Sequence, residues 1–214
     1  MLTLYGRFPT RSNRVHWALE ELEVPYTFYQ VDFAAGDTDS PAFRSLNPGG
    51  KIPVLTDGDL VLAESGAICN YLGDRHPASG LTPSPGSPDR ARYDQWMFFA
   101  QSELEQPLWT KAKHKFVLPR EWRVKGLEDT VAWEFQRAAE VLTKGLGDNE
   151  FIVGDRFTMA DIMLTHTLGW AKAANMEIRQ RNLLDYANRN FGRPAVNRMA
   201  KCRGQPLPGG REIH

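Results

Sequence analysis

Cysteine is scarce in this chain. Only Cys69 and Cys202 occur among 214 residues, far apart and without CxxC spacing. That excludes a disulfide framework and a cysteine-based metal cluster, and it reads as two inert thiols in a reducing compartment. The five histidines, His16, His76, His114, His166 and His214, share no spacing that would gather a metal. Excess charge of one sign is also missing: Lys plus Arg and Asp plus Glu number 26 each. A neutral balance gives no electrostatic reason to expect nucleic acid or an anionic membrane as partner. No apolar run approaches the roughly 20 residues that a membrane span needs. The start, Met1-Leu2-Thr3-Leu4-Tyr5, turns polar without a basic segment and long apolar stretch, so no signal peptide is expected and the cytosol is the default location.

What is present is a change of pattern along the chain. Leu2 to Tyr5 is a short β-type run. Asn13 to Glu23 carries Val15, Leu19 and Leu22 on one helical face and stops before Pro25. Tyr26 to Val31 is aromatic and β-branched, a second strand. Residues 34 to 47 read as a loop with one helical turn at most. Asp57-Gly58-Asp59 between two apolar runs predicts a hairpin, and Glu64 to Arg75 a helix. Prolines 77, 83, 85 and 88 then mark a linker.

Everything beyond the linker reads as helical. Helices are expected over Asp89 to about Phe116 with a break at Pro107, Glu121 to Leu146, Thr158 to Ala174, and within Gln180 to Arg203. Thr158 and Asp161 have capping-box spacing, with Phe157 and Ile162 placed to staple the first turn. The Pro- and Gly-rich tail from Gly204 to His214 is expected to be poorly ordered. The expected architecture is an α/β domain over residues 1–78 and an all-helical domain over residues 89–204.

Three motifs in this order resemble the cytosolic glutathione transferase family over nearly the whole chain. They are Leu4-Tyr5-Gly6 with Arg14-Val15-His16-Trp17-Ala18-Leu19-Glu20-Glu21-Leu22, then Asn47-Pro48-Gly49-Gly50-Lys51-Ile52-Pro53-Val54-Leu55 with Leu62-Ala63-Glu64-Ser65-Gly66-Ala67-Ile68, and Gly154-Asp155-Arg156-Phe157-Thr158-Met159-Ala160-Asp161. The resemblance implies a thioredoxin-like glutathione-binding domain, an all-α domain holding a small hydrophobic electrophile, and a homodimer. Glutathione is implied as co-substrate, with no metal.

The resemblance also implies roles. The Ile52-Pro53 peptide is expected to be cis, with the Ile52 backbone meeting the cysteinyl part of glutathione much as an added strand would. Ser65 opens a helix whose free N–H groups suit the γ-glutamyl carboxylate, and Glu64 suits its ammonium. Lys51 is placed for the glycyl carboxylate or for solvent. Relatives put a Tyr, Ser or Cys donor between the first strand and first helix, because free thiols ionise only near pH ~8.5. Here that segment is Gly6-Arg7-Phe8-Pro9-Thr10-Arg11-Ser12-Asn13. It lacks the thiol of the cysteine-dependent branches and the Ser-Ser-Cys run of the zeta-type isomerases.

Thr10 ranks first as thiol activator and Ser12 second, although Ser12 or Asn13 equally suits a helix cap. Tyr5 is assigned to the strand core. Trp96, Phe99 and Trp109, with Phe116, are candidates for the electrophile pocket, and core packing competes with that role. Glu103 is a further candidate contact to glutathione across a dimer interface. Isomerase, dehalogenase or peroxidase chemistry and non-catalytic binding stand as alternatives to conjugation.

Overall fold

The computed structural model describes residues 1–202 and 204–207. Contacts divide the chain into two units, one of residues 1–79 with residues 193 onward, the other Gly80–Gly192.

The first unit is built on β1 (Leu2–Gly6), α1 (Ser12–Leu22), β2 (Tyr26–Gln30), α2 (Pro41–Leu46), β3 (Val54–Asp57), β4 (Leu60–Ala63) and α3 (Ser65–Arg75). With the short strand β5 (Gln205–Pro206), the sheet order is β4-β3-β1-β2-β5. β1 and β2 run parallel across α1, as a crossover requires, while β3 and β4 form the antiparallel hairpin around Gly58. Leu4, Val15, Leu19, Leu55, Ile68 and Leu72 are fully or almost fully buried between sheet and helices. Tyr5 is also buried, in a cluster with Val31, Phe43 and Val54, which agrees with its assignment to the strand core. The expected loop over 34–47 is more ordered than its composition suggests. Ser40 caps α2 by accepting from the Phe43 N–H, with Pro41 in the first turn.

The C-terminal end departs from expectation. α9 (Pro194–Lys201) packs on α1, and Gln205–Pro206 forms β5, parallel to β2. Leu207 packs against the Tyr5–Val31–Phe43–Val54 cluster. The helical domain expected to reach residue 204 therefore gives its last helix to the first unit. The expected disorder of the tail is wrong for residues 204–207; Pro208 to His214 lie outside the described residues. Proline and glycine content was a poor guide here, because a two-residue edge strand needs few backbone donors.

The second unit holds α4 (Pro88–Phe99), α5 (Gln106–Ala112), α6 (Glu128–Leu146), α7 (Met159–Ala173) and α8 (Arg181–Phe191). A π-helical turn over Ala100–Leu104 joins α4 to α5, and Pro107 sits in the first turn of α5, where its missing N–H costs nothing. The helix expected from Glu121 starts only at Glu128. Before it, Arg120–Trp122 make a single 3₁₀ turn after Pro119, and Gly126, at φ 79°, separates that turn from α6. α7 is central and mostly buried, its exposed residues lying at the C-terminal end. Its capping box is present as expected.

Candidate glutathione site

Strand register brings three segments to one end of the sheet. Val54, the residue after Pro53, pairs with Tyr5 at the end of β1 and with Ala63 at the end of β4. The loop after Gly6, the Ile52–Pro53 peptide and the Glu64–Ser65 step are therefore neighbours, although far apart in sequence. The Ile52–Pro53 bond is cis, as expected, and so is Phe8–Pro9, which carried no signal in the sequence.

The loop at residues 7–11 is anchored at both ends. Arg7 Nη1 donates to the Val31 carbonyl and to Asp32 Oδ1, both at 3.3 Å, and its guanidinium stacks on Phe33. Thr10 Oγ1 lies 2.6 Å from the Arg7 carbonyl and 3.0 Å from Ser12 Oγ, and accepts from the Ser12 N–H at 3.1 Å. A hydroxyl has one proton. The short contact to a carbonyl, which can only accept, takes it, leaving the Ser12 hydroxyl to donate to Thr10 Oγ1.

Thr10 thus caps α1, the job expected of Ser12 or Asn13. Asn13 Oδ1 lies within reach of the Thr10 N–H and completes a reciprocal cap. Ser12 itself is 2% exposed. It lies so close beneath Gly6 that a Cβ there would come within 2.6 Å of the Ser12 Cβ. Of the two candidate hydroxyls, only Thr10 is partly open to solvent.

Glu64 is exposed and sits at φ 67°, ψ 112°, a backbone setting that non-glycine residues rarely adopt and that costs on the order of 1–3 kcal/mol. This geometry turns the chain sharply from β4 into α3, so that Ser65 opens the helix directly behind it. Ser65 is buried, and its Oγ accepts from Arg14 Nη1 at 3.3 Å.

Ile52 is half-buried against the Tyr5 cluster. Lys51 is exposed, and its carbonyl accepts from Asn47 Nδ2 at 2.8 Å. Asn47 Oδ1 also takes the Gly49 N–H, and Arg44 Nη1 donates to the Pro48 carbonyl at 2.7 Å. Asn47 and Arg44 therefore shape the loop before the cis bond. Neither was singled out from the sequence, where Asn47 figured only as part of a motif. Arg14 likewise stood there only as a motif residue.

The proposed pocket aromatics of the second unit divide. Trp96 is core: it is 8% exposed and lies flush against Gly145 of α6, where a Cβ would meet its ring at 2.2 Å. Phe99 meets the Trp96 ring edge-on at 5.1 Å and, like Trp109, is half-buried. Phe116 and Glu103 are exposed. A cavity of about 190 Å³ in this unit lies elsewhere, among Leu168, Lys172, Leu184 and Phe191. Among the described residues no His, Cys, Asp and Glu group is arranged to hold a metal, and no helix is long and apolar enough to cross a membrane.

Residues 1–74 match the glutathione S-transferase N-terminal domain and residues 132–189 its C-terminal domain. The chain is 33% identical over 175 residues to glutathione S-transferase 2 of Anopheles gambiae, covering 80% of each chain. It is 29% identical over 169 residues to the disulfide-bond oxidoreductase YfcG of Escherichia coli, covering 76% of each. A solved glutathione transferase from Pseudomonas putida, with one glutathione disulfide bound per subunit, superposes with a TM-score of 0.82 at 26% identity, over 95% of this chain and 92% of that one. The chain belongs to the glutathione S-transferase family, with the thioredoxin-like and helical domains of that fold.

Proposed function

We propose that the protein is a glutathione transferase that lowers the pKa of bound glutathione and directs the thiolate at a small hydrophobic electrophile. The shared sheet end carrying the Thr10 loop, the cis Ile52–Pro53 peptide and the Glu64–Ser65 turn supports this reading most strongly. In it, the Ile52 backbone pairs with the cysteinyl residue. Ser65 and the α3 N-terminus take the γ-glutamyl carboxylate, Glu64 the ammonium and Lys51 the glycyl carboxylate. Thr10 donates to the sulfur, its proton turning from the Arg7 carbonyl to the thiolate while Ser12 supports it from behind. The positive end of α1 adds to the field that favours the anion. The helical unit supplies the electrophile pocket through Phe99 and Trp109. The working molecule is a cytosolic homodimer, and light scattering on the purified protein tests its size.

Calorimetry with reduced glutathione, combined with a pH titration of thiolate absorbance, tests the core of this reading. Binding with a lowered thiol pKa is the expected result; no binding at millimolar glutathione would sink it. Thr10→Ala should cut turnover on the order of 10²-fold while glutathione affinity changes little, and Thr10→Ser should restore most of the loss.

A second reading, thiol–disulfide exchange by bound glutathione, draws on the Escherichia coli relative and on the glutathione disulfide in the Pseudomonas putida structure. Glutathione-dependent reduction of a small disulfide, without conjugation to electrophiles, would favour it.

A further inference from the structure

Arg14, in the first turn of α1, has no exposed surface at all. Arginine is almost never fully buried unless its charge serves a partner, because removing a guanidinium from water is expensive. Its Nη1 donates to Ser65 Oγ at 3.3 Å. Its charge also opposes the rise that burial imposes on the thiol of Cys69, one turn further along α3. A permanent cation therefore lies along the buried face of the first turn of α3, the turn whose N–H groups have no partner within the helix.

The chemistry of this contact has a direction. A guanidinium has donors and no acceptor, so Arg14 must occupy a lone pair of Ser65 Oγ. The single proton of Ser65 then stays available for an acceptor on the other side. A serine held this way is set as a donor before any ligand arrives, and the cation behind it raises the local potential for an anion.

We propose that Arg14 is a positioning residue that presets Ser65 as a hydrogen-bond donor and backs the α3 N-terminus with positive charge, so that the site selects a ligand carboxylate without Arg14 touching it. This rests on the reading above in which Ser65 meets the γ-glutamyl carboxylate of glutathione.

The experiment uses the full-length protein, Arg14→Met, Arg14→Lys, Ser65→Ala and the double variants. Affinities are measured for glutathione and for 4-aminobutyryl-cysteinyl-glycine, which lacks that carboxylate. The wild type should prefer glutathione. Arg14→Met should weaken glutathione binding about tenfold, equivalent to about 1.4 kcal/mol, and leave the analogue nearly unaffected. The loss should largely vanish in the Ser65→Ala background, since the effect passes through Ser65. Arg14→Lys, which keeps the charge and loses the fork, should retain part of the preference and carries the test if the methionine variant does not fold.

Arg14 variants that fold and keep the full preference for the carboxylate, or that weaken both ligands equally, would overturn the proposal alone. A wild type that binds both ligands equally would remove the Ser65 reading first, and the proposal with it.

Discussion

At the scale of single residues, His16 shows how burial writes pH dependence into the fold. Its ring is 4% exposed, and its Nε2 lies 2.7 Å from the Tyr26 hydroxyl, which donates onward to Glu20. With the tyrosine proton given to Glu20, Nε2 of the neutral ring must carry the hydrogen and donate. Burial pushes the imidazole down to about 4, against the smaller upward pull of Glu20. A histidine depressed in the folded state contributes stability that is complete above its unfolded value of about 6.5 and is lost as pH falls towards 4, a change of about 3 kcal/mol. Urea unfolding between pH 7 and 4 should show this loss, and His16→Gln should flatten the slope. Such a group is hard to see in a sequence. His16 stands on the same helix as Val15 and Leu19, but only Tyr26, Glu20 and the packing around them reveal a neutral ring. Thr10 and Ser12 make the same point. Their hydroxyls were legible as a pair, while the division of labour, one capping and half-open, the other shut beneath Gly6, depends on how closely α1 approaches β1.

Among the elements, those specified by neighbouring residues were legible. The hairpin around Asp57-Gly58-Asp59 and the cap of α7 need only a few adjacent side chains, and both appear where expected. At α7, Asp161 is wholly buried and receives the Ile152 N–H at 2.9 Å, the Thr158 N–H and hydroxyl at 2.8 Å, and the Tyr186 hydroxyl at 2.7 Å. Burial raises its pKa, and these donors pull the other way. Asp161→Ala would strand several buried donors at once. It should cost about 3–5 kcal/mol, read as a lower denaturant midpoint at an unchanged slope. Asp161→Asn, with one acceptor oxygen left, should fall between that variant and the wild type. The strand at the C-terminus, set by a distant partner, was not legible, whereas the late start of α6 follows from the local breakers Pro119 and Gly126, which interrupt the helical pattern around them.

On the scale of the whole molecule, the first unit is discontinuous in sequence. The chain leaves it after Ser79 and returns at Arg193. Arg193 meets Glu21 through two contacts of 2.6 and 2.9 Å, and the same carboxylate takes the Trp17 N–H. Ala195 and Met199 of α9 are buried. A chain ending at Gly192 would keep every residue of the second unit and still damage the first. Hydrogen exchange should show faster opening of α1 and β2 in that truncation, with α7 protected as before. Equal protection throughout would make α9 and β5 dispensable. The motifs pointed to the two folds correctly because they lie within β1–α1, β3–α3 and the start of α7. They carried no information about the return of the chain, since the residues of α9 and β5 belong to none of them.

That return also governs how the protein behaves in a crowd of its own copies. β2 consists of Tyr26, Thr27, Phe28, Tyr29 and Gln30, a run of strong β-formers that would be a template for fibril growth if its outer edge were bare. β5 covers that edge for two residues and ends in Pro206, which has no N–H to offer a further strand. Losing the last dozen residues would therefore cost solubility as well as stability, turning a finished sheet margin into a seed for aggregation.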